Sequence, residues 1–304
     1  MEKELKKAHK SGFVNIIGHP NVGKSTLMNA LVGERMSIIT HKPQTTRHRI
    51  IGIVNDDDYQ IVFSDTPGLI KKTNYKMQER MNAFVQGTTE DADVMMLVID
   101  VKEPFDAESP ILQIVKKVKC PLFLVLNKTD LLKDEQLMQV LLLWKDQIDC
   151  AEIIPISALS KKNTSLLLNR ILEYMPEGPV YYPKDQFTDR SERFFVSEII
   201  REKILLLYHQ EIPYSVEVIV DTFKEDPDPD KNLIKIHSTI FVSRKTQKSI
   251  IIGDKGSSIK KLGMDARKDI EKFLDKRVFL ELFVKVKEDW RDDDSSLKMF
   301  GYSE

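Results

Sequence analysis

The eight residues 18–25, Gly-His-Pro-Asn-Val-Gly-Lys-Ser, constrain this chain more than any other stretch. They follow a short apolar run, residues 13–17, that reads as a buried strand, and precede residues 26–32, which read as a helix. Strand, GxxxxGK[ST] and helix in that order are the context a phosphate-binding loop needs. Gly18 and Gly23 let the backbone through His19, Pro20, Asn21 and Val22 fold back, so that successive N–H groups point into one concavity. The helix that begins near Lys24 and runs through Thr26 adds its positive end. Lys24 is placed to reach the outer phosphates, and the Ser25 hydroxyl to hold Mg²⁺. The plain alternative is a glycine turn before a helix that binds nothing, and three later segments weigh against it.

Length and composition bound the rest. At 304 residues the chain has room for two domains. Its 41% hydrophobic and 31% charged content describes a globular protein, and the net charge of −1 hides any local basic patch. Cys120 and Cys150 read as small hydrophobes in a reducing compartment, not as a disulfide framework. Residues 1–10 are charged and lack the apolar core of a signal peptide, and the best apolar run, 94–99, is far short of the roughly 18 residues that suggest a membrane span. The expectation is a cytoplasmic protein.

Between residues 12 and 176 short apolar runs alternate with helical patterns. The expected strands are 13–17, 50–54, 60–64, 94–100, 122–126 and 152–156, several apolar without alternation, as strands covered on both faces are. The second and third form an edge hairpin through Asn55-Asp56-Asp57-Asp58, a cluster that reads as a solvated turn before it reads as a metal site. Helices are expected at 77–90, 107–119, 134–149 and 164–174. This is a doubly wound α/β domain, whose ligands sit at the carboxyl ends of the strands. Residues 177–190, rich in proline and tyrosine, read as a linker. Residues 191–290 then follow the order αββααβ, an α+β unit, and residues 1–11 and 291–304 are left as tails.

The strand ends carry the chemistry. Asp65-Thr66-Pro67-Gly68 closes the third strand, where a carboxylate holds Mg²⁺ through water and Gly68 brings a backbone N–H to the γ-phosphate. Asn127-Lys128-Thr129-Asp130 closes the fifth, and the Asp130 carboxylate can accept from N1–H and the 2-amino group of guanine, a pairing adenine does not offer. GTP is therefore the expected nucleotide, with Ser157 and Ala158 supplying a backbone N–H to the guanine oxygen. Thr45 and Thr46 lie in the polar stretch 33–49, where a mobile loop brings a threonine to Mg²⁺ and the γ-phosphate; Thr46 is the preferred ligand, a surface threonine pair the alternative. Lys24, Thr46 and Gly68 are thus the candidate catalytic groups. Leu69 stands where Ras-like enzymes carry a water-orienting glutamine, so slow intrinsic hydrolysis is expected. Of the nearby histidines, His19 is expected to pack in the loop and His48 to lie on an exposed strand.

In the second unit Gly253-Asp254-Lys255-Gly256 forms a GxxG turn between two helices. Such a turn lets a sugar-phosphate backbone approach, while the next helix aims its N–H groups at phosphate and apolar walls receive about four unpaired bases. Ile252, Gly253, Asp254, Lys255, Gly256, Ser257, Lys260 and Lys261 are the candidate RNA-binding residues. From Arg244 to Arg277 there are 11 Lys/Arg against 5 Asp/Glu, which agrees.

Taken together, residues 18–25, Gln44-Thr45-Thr46-Arg47, Asp65-Thr66-Pro67-Gly68-Leu69, Asn127-Lys128-Thr129-Asp130, the Gly-Asp-Lys-Gly turn and the ending Val284-Lys285-Val286-Lys287 to Trp290 make the chain resemble the Era family of bacterial ribosome-assembly GTPases. The resemblance covers residues 12–290. It implies a P-loop GTPase with a doubly wound sheet followed by a smaller α+β type II KH domain, acting as a monomer that binds GTP, GDP and Mg²⁺. It implies that the KH domain binds the 3′ end of small-subunit ribosomal RNA and promotes maturation of the small ribosomal subunit. It further implies K⁺ binding at Asn21 in place of an arginine finger, and peripheral membrane association, for which the sequence offers no anchor. Two other readings stay open: a GTPase acting in RNA modification, and a nucleotide-controlled module that holds protein or membrane.

Overall fold

In the computed structural model, which describes residues 8–87 and 91–302, the chain divides into two compact units, one ending at Asp189 and the other beginning at Arg190, with Asn74–Met77 counted in the second. The first unit is built on a six-stranded sheet: β1 (Lys10–Ile17), β2 (Ile50–Asn55), β3 (Tyr59–Asp65), β4 (Val94–Asp100), β5 (Leu122–Asn127) and β6 (Glu152–Pro155), in the order β2-β3-β1-β4-β5-β6. All neighbours are parallel except the β2–β3 hairpin. Helices α1 (Lys24–Val32), α2 (Lys76–Gly87), α3 (Pro110–Val115), α4 (Asp134–Lys145) and α5 (Thr164–Tyr174) connect the strands. Val94 to Ile99 are all buried, which is why β4 reads as an unbroken apolar run. The chain leaves β1 toward β3 on one side and returns to β4 on the other, so the strand order reverses at the carboxyl end of β1. That reversal opens a crevice directly above residues 18–25.

Not every expectation holds as stated, and the helix expected at 134–149 ends at Lys145. The helix expected at 107–119 is only α3: Pro110 at its first position sets the start, and the N–H groups of Lys117 and Val118 bond three residues back, tightening the end into a turn. The helix expected at 77–90 is described as α2, and residues 88–90 lie outside the described residues. The stretch that reads as a free linker is a packed strap. Its Phe187 carbonyl accepts from Ile53 N–H of the edge strand β2 (2.8 Å), and the buried Gln60 side chain accepts from the N–H groups of Tyr181 and Tyr182 and donates to the Tyr182 carbonyl, all within 2.9 Å. An edge strand leaves backbone groups unpaired, and the strap satisfies one.

The second unit runs α6 (Glu192–Leu207), β7 (Val216–Glu225), β8 (Leu233–Val242), α7 (Lys245–Ile252), α8 (Ser257–Leu274), β9 (Arg277–Val286) and α9 (Asp294–Met299). β8 pairs antiparallel with β7 and parallel with β9. Helices α6, α7 and α8 cover one face, burying Ile200, Ile204, Leu262 and Ile270 against Val218, Ile236, Ile240 and Val284. Residues 291–302, expected as a tail, fold onto this unit: Leu297 and Tyr302 are buried, and the Tyr302 hydroxyl donates to Glu217 Oε2 (2.7 Å). The signal was the apolar and aromatic content of Leu297, Phe300 and Tyr302. Residues 1–7 and 303–304 lie outside the described residues. Among the described residues no helix is long and apolar enough to cross a membrane.

Candidate nucleotide and RNA sites

The strand ends bring the first site together. Gly23, between β1 and α1, has φ +98, and a Cβ there would lie 2.3 Å from Asn127 Nδ2, so only glycine allows the loop and the end of β5 to meet. Asn127 then ties three segments: its Nδ2 donates to the Val22 carbonyl (2.8 Å) and its Oδ1 accepts from Ala158 N–H (2.9 Å). Lys128 Nζ donates to the Asn21 carbonyl and to Asp100 Oδ2, both at 2.7 Å. The Asp130 carboxylate is exposed at the crevice end of β5. Ser157 N–H is held by the Lys162 carbonyl (3.1 Å). Of the two amides expected to serve a guanine oxygen, Ser157 is thus committed elsewhere, and Ala158 must release Asn127.

Below the crevice Ser25, Thr46 and Asp65 converge. Ser25 Oγ lies 2.6 Å from Asp65 Oδ2 and 2.8 Å from Thr46 Oγ1. Ser37, which sequence reasoning missed inside the polar loop, also donates to Asp65 Oδ2 (3.1 Å). Asp65 Oδ1 is buried with no hydrogen-bond partner among the described residues. Two hydroxyls and a carboxylate with an unused oxygen form a hard oxygen donor set, which fits Mg²⁺. Burial pushes the Asp65 carboxyl above the ordinary carboxylate range, with the Lys24 charge and the Ser25 and Ser37 hydrogen bonds pulling back. A carboxyl whose pKa is raised by folding contributes stability at low pH and costs it at neutral pH, where the unfolded chain's carboxyl has given up its proton. Asp65→Asn should therefore raise the melting midpoint of the nucleotide-free protein, by about 2–4 °C for a gain of about 1 kcal/mol, while removing the further stabilisation by Mg²⁺ and GTP. Melting curves with and without nucleotide check both, and a lower nucleotide-free midpoint contradicts the argument.

Lys24 is buried and donates to the Gly18 (3.0 Å) and His19 (2.8 Å) carbonyls. Burial lowers its pKa to about 8, against the attraction of Asp65 and Glu103. Pro20, Gly23, Lys24, Thr26, Thr46 and Gly68 help line a cleft of about 110 Å³ over the loop. His19 turns away from it, with Nδ1 2.6 Å from Glu103 and Nε2 2.7 Å from Ser109. His48 is a correction: it is buried and precedes β2, not exposed on a strand. Leu69 is buried in the core, and the next residue, Ile70, is held by Asn82, which accepts from its N–H (3.0 Å) and donates to its carbonyl (2.9 Å). The backbone after Gly68 is thus fixed by an amide clamp, and the buried Leu69 side chain has no polar atom with which to orient a water.

The second site lies at the α7–α8 turn. Gly253 has φ +74, and a Cβ there would meet Ser258 Oγ at 2.2 Å. Asp254, Lys255, Ser257, Lys260 and Lys261 are exposed around the turn, while Ile252, Gly253 and Gly256 are half-buried. Beside it a groove of about 290 Å³ runs between α8, with Ile259, Gly263, Met264 and Arg267, and β9, with Leu280 and Leu282. The four residues Met264, Arg267, Leu280 and Leu282 are not evident from the GxxG motif. For the last two, the alternation along β9 is the signal, once the helices are known to cover one face.

A sheet of this order, with the GxxxxGKS loop after β1, a carboxylate at the end of β3 and an Asn-Lys-x-Asp segment at the end of β5, defines a P-loop GTPase, here followed by a KH domain. The family described as 50S ribosome-binding GTPase matches residues 13–128, and the KH domain family matches residues 211–291. GTPase Era of Syntrophus aciditrophicus is 50% identical over 97% of this chain and 96% of its own length, and GTPase Era of Clostridium kluyveri is 47% identical over 96% and 99%. Among solved structures, a single-residue variant of Aquifex aeolicus Era bound to GDP·AlF4⁻ superposes with a TM-score of 0.90 at 37% identity, covering 97% of this chain and 100% of that one. The chain belongs to the Era family of GTPases.

Proposed function

We propose that this chain is a GTP-controlled switch that binds the 3′ end of small-subunit ribosomal RNA and promotes maturation of the small ribosomal subunit. The observation that supports it is the likeness to a solved Era complex with MgGDPNP and nucleotides 1506–1542 of 16S ribosomal RNA, at a TM-score of 0.91 and 37% identity over 97% of this chain, combined with this chain's own GxxG turn and apolar groove. In this reading residues 12–176 are the GTPase domain, 177–190 the linker and 191–290 the KH domain. Residues 18–26, Asp65, Gly68, Asn127, Lys128, Asp130 and Ala158 hold the nucleotide, and Ser157, whose N–H bonds to the Lys162 carbonyl, anchors the turn that presents Ala158. Ser25, Thr46 and Asp65 hold Mg²⁺, which screens phosphate charge when bound. Ile252 to Ser257, Lys260 and Lys261 take the RNA backbone, and the groove takes its bases. The protein works in the cytoplasm, with peripheral membrane association as a further feature of the family resemblance.

A labelled single-stranded oligonucleotide of the ribosomal RNA 3′ end tests the reading, with GDP or a non-hydrolysable GTP analogue across a salt series. The analogue should favour tight binding, and log affinity should fall against log salt with a slope of about −0.7 per phosphate contacted. Lys255→Asp combined with Ser257→Asp should weaken RNA binding and leave GTP affinity intact. No binding in either nucleotide state sinks the RNA assignment.

Hydrolysis is proposed to need K⁺ at Asn21. The Asn21 Nδ2 donates to the His41 carbonyl (3.0 Å), which leaves the side-chain oxygen as the atom for a cation. Turnover should be faster in K⁺ than in Na⁺ at equal ionic strength; equal rates refute the assignment.

A further inference from the structure

The three-stranded sheet of the second unit carries α6, α7 and α8 on one face, while on the other face the segment with α9 covers only the end around Phe241 and Glu217, through Phe300 and Tyr302, and what it leaves open is not an ordinary solvated sheet face. Along β9, Val278, Leu280, Leu282 and Val284 turn toward the helices, and Leu280 and Leu282 form the far wall of the groove. The alternate residues Phe279 and Phe283 therefore lie on the face opposite α6, α7 and α8, and each is 49% exposed. β9 is also the last strand of its sheet, so nothing among the described strands pairs with its outer edge. A strand of nucleic acid filling the groove can pass over that edge and reach the opposite face without leaving the protein.

The charges around the two phenylalanines suit such a passenger. Lys235 is opposite Phe279 in the β8–β9 register, with Lys224 beyond it on β7, and Arg277 and Lys285 stand two residues outside the pair along β9. All four cations are exposed. The acids among them are engaged: Glu281 pairs with His237 (2.9 Å), Asp226 with Lys235 (3.1 Å), and Asp221 accepts from the Thr239 hydroxyl (2.7 Å). Aromatic rings interleaved with Lys and Arg on an open sheet face are the chemistry that stacks unpaired bases and tracks their phosphates. Four residues of strand separate the rings by roughly 13 Å, so they take two separate bases, not one stacked pair. A second copy of this chain fits less well, because an isologous contact places the same cations against each other.

We propose that the open part of the face opposite α6, α7 and α8, around Phe279 and Phe283, is a second single-strand RNA surface, which receives the strand leaving the KH groove over the β9 edge. It rests on the RNA-binding reading above and extends the footprint beyond the groove.

The test uses the full chain with the GTP analogue and two oligonucleotides of the ribosomal RNA 3′ end, one of about four nucleotides, enough for the groove, and one about three times as long. Phe279→Ala with Phe283→Ala should leave the short oligonucleotide's affinity unchanged and weaken the long one about tenfold or more. Replacing both with Tyr, which keeps the stacking ring, should restore it. GTP affinity and the melting midpoint report whether the variant is folded, and 4-thiouridine in the outer part of the long oligonucleotide should crosslink to residues 277–285 of the wild-type chain. Equal affinities of wild type and the alanine variant for the long oligonucleotide, or crosslinks confined to the groove, overturn the proposal. It is equally overturned if the alanine variant keeps its RNA affinity but loses self-association or binding to phosphatidylglycerol vesicles. Absence of wild-type binding to either oligonucleotide removes the RNA reading itself, an outcome distinct from loss of the length effect alone.

Discussion

Lys24→Ala should lose GTP and GDP binding by about a thousandfold or more, because it leaves phosphate charge in a partly dry cleft without its buried counter-charge. The same residue predicts a pH profile. In the free protein Lys24 sits near a pKa of about 8, lowered by burial against the attraction of Asp65 and Glu103, with its ammonium donating to the Gly18 and His19 carbonyls. Nucleotide phosphates favour the charged form, so the bound-state pKa is higher and binding takes up a proton wherever the free lysine has lost one. Affinity should be flat in pH just below 8 and fall by about tenfold per unit above it, until the bound-state pKa is reached. Calorimetric titration of GDP between pH 7 and 9.5, in buffers of different ionisation enthalpy, measures both the slope and the proton uptake. An affinity that stays flat to pH 9.5 means that Lys24 is already charged in the free site or does not face phosphate.

What was legible in the sequence follows from periodicity and from strand ends. β4 spans residues 94–100, as its apolar run indicates, because a strand buried on both faces needs no alternation. Lys24, Asp65 and Asn127 each sit at a junction that the pattern marks, so the parallel sheet gathers them at one edge. Ser37 and Asn82 carry no such mark. Each acts on a backbone or carboxylate remote in sequence, and a serine in a polar loop or an asparagine on an amphipathic helix looks like solvated surface. His48 illustrates the opposite error: the loop before β2 is polar in composition, yet Met36, Ile38 and His48 are buried, and Asn29 of α1 and Asp65 of β3 hydrogen-bond to Met36 and Ser37 and hold that part of the loop against the domain. The strap misled for a related reason. Proline and tyrosine end the helix at Tyr174, but the hydrogen bonds that fasten residues 181–187 come from Gln60 and Ile53, more than 120 residues earlier in the chain. Local composition carries no information about partners at that separation.

Asp130→Asn should exchange the base that the site accepts. Asp130 is exposed beside the crevice, immediately after Thr129, whose N–H bonds to the Ile156 carbonyl (3.1 Å) and so fixes the turn that presents the carboxylate. An ionised carboxylate only accepts, and guanine offers it two donors, N1–H and the 2-amino group. Xanthine carries an oxygen in place of that amino group, so the wild-type site sets acceptor against acceptor. Asparagine keeps one acceptor for N1–H and adds an N–H₂ donor for the xanthine oxygen, while guanine then meets donor against donor. A site built on paired hydrogen bonds rejects the wrong partner by about 10⁴-fold when its polar groups are left unmatched, so the preference should change sign and not merely weaken. The neighbouring contacts of Asn127 with Val22 and Ala158 do not involve the Asp130 side chain, so the phosphate loop keeps its anchor and the variant should still bind a nucleotide tightly. Competition between GDP and xanthosine diphosphate for the wild type and the variant decides the matter. An unchanged guanine preference removes Asp130 from the base site, whereas loss of both nucleotides points to a collapsed turn, which Lys24-dependent binding of inorganic pyrophosphate would distinguish.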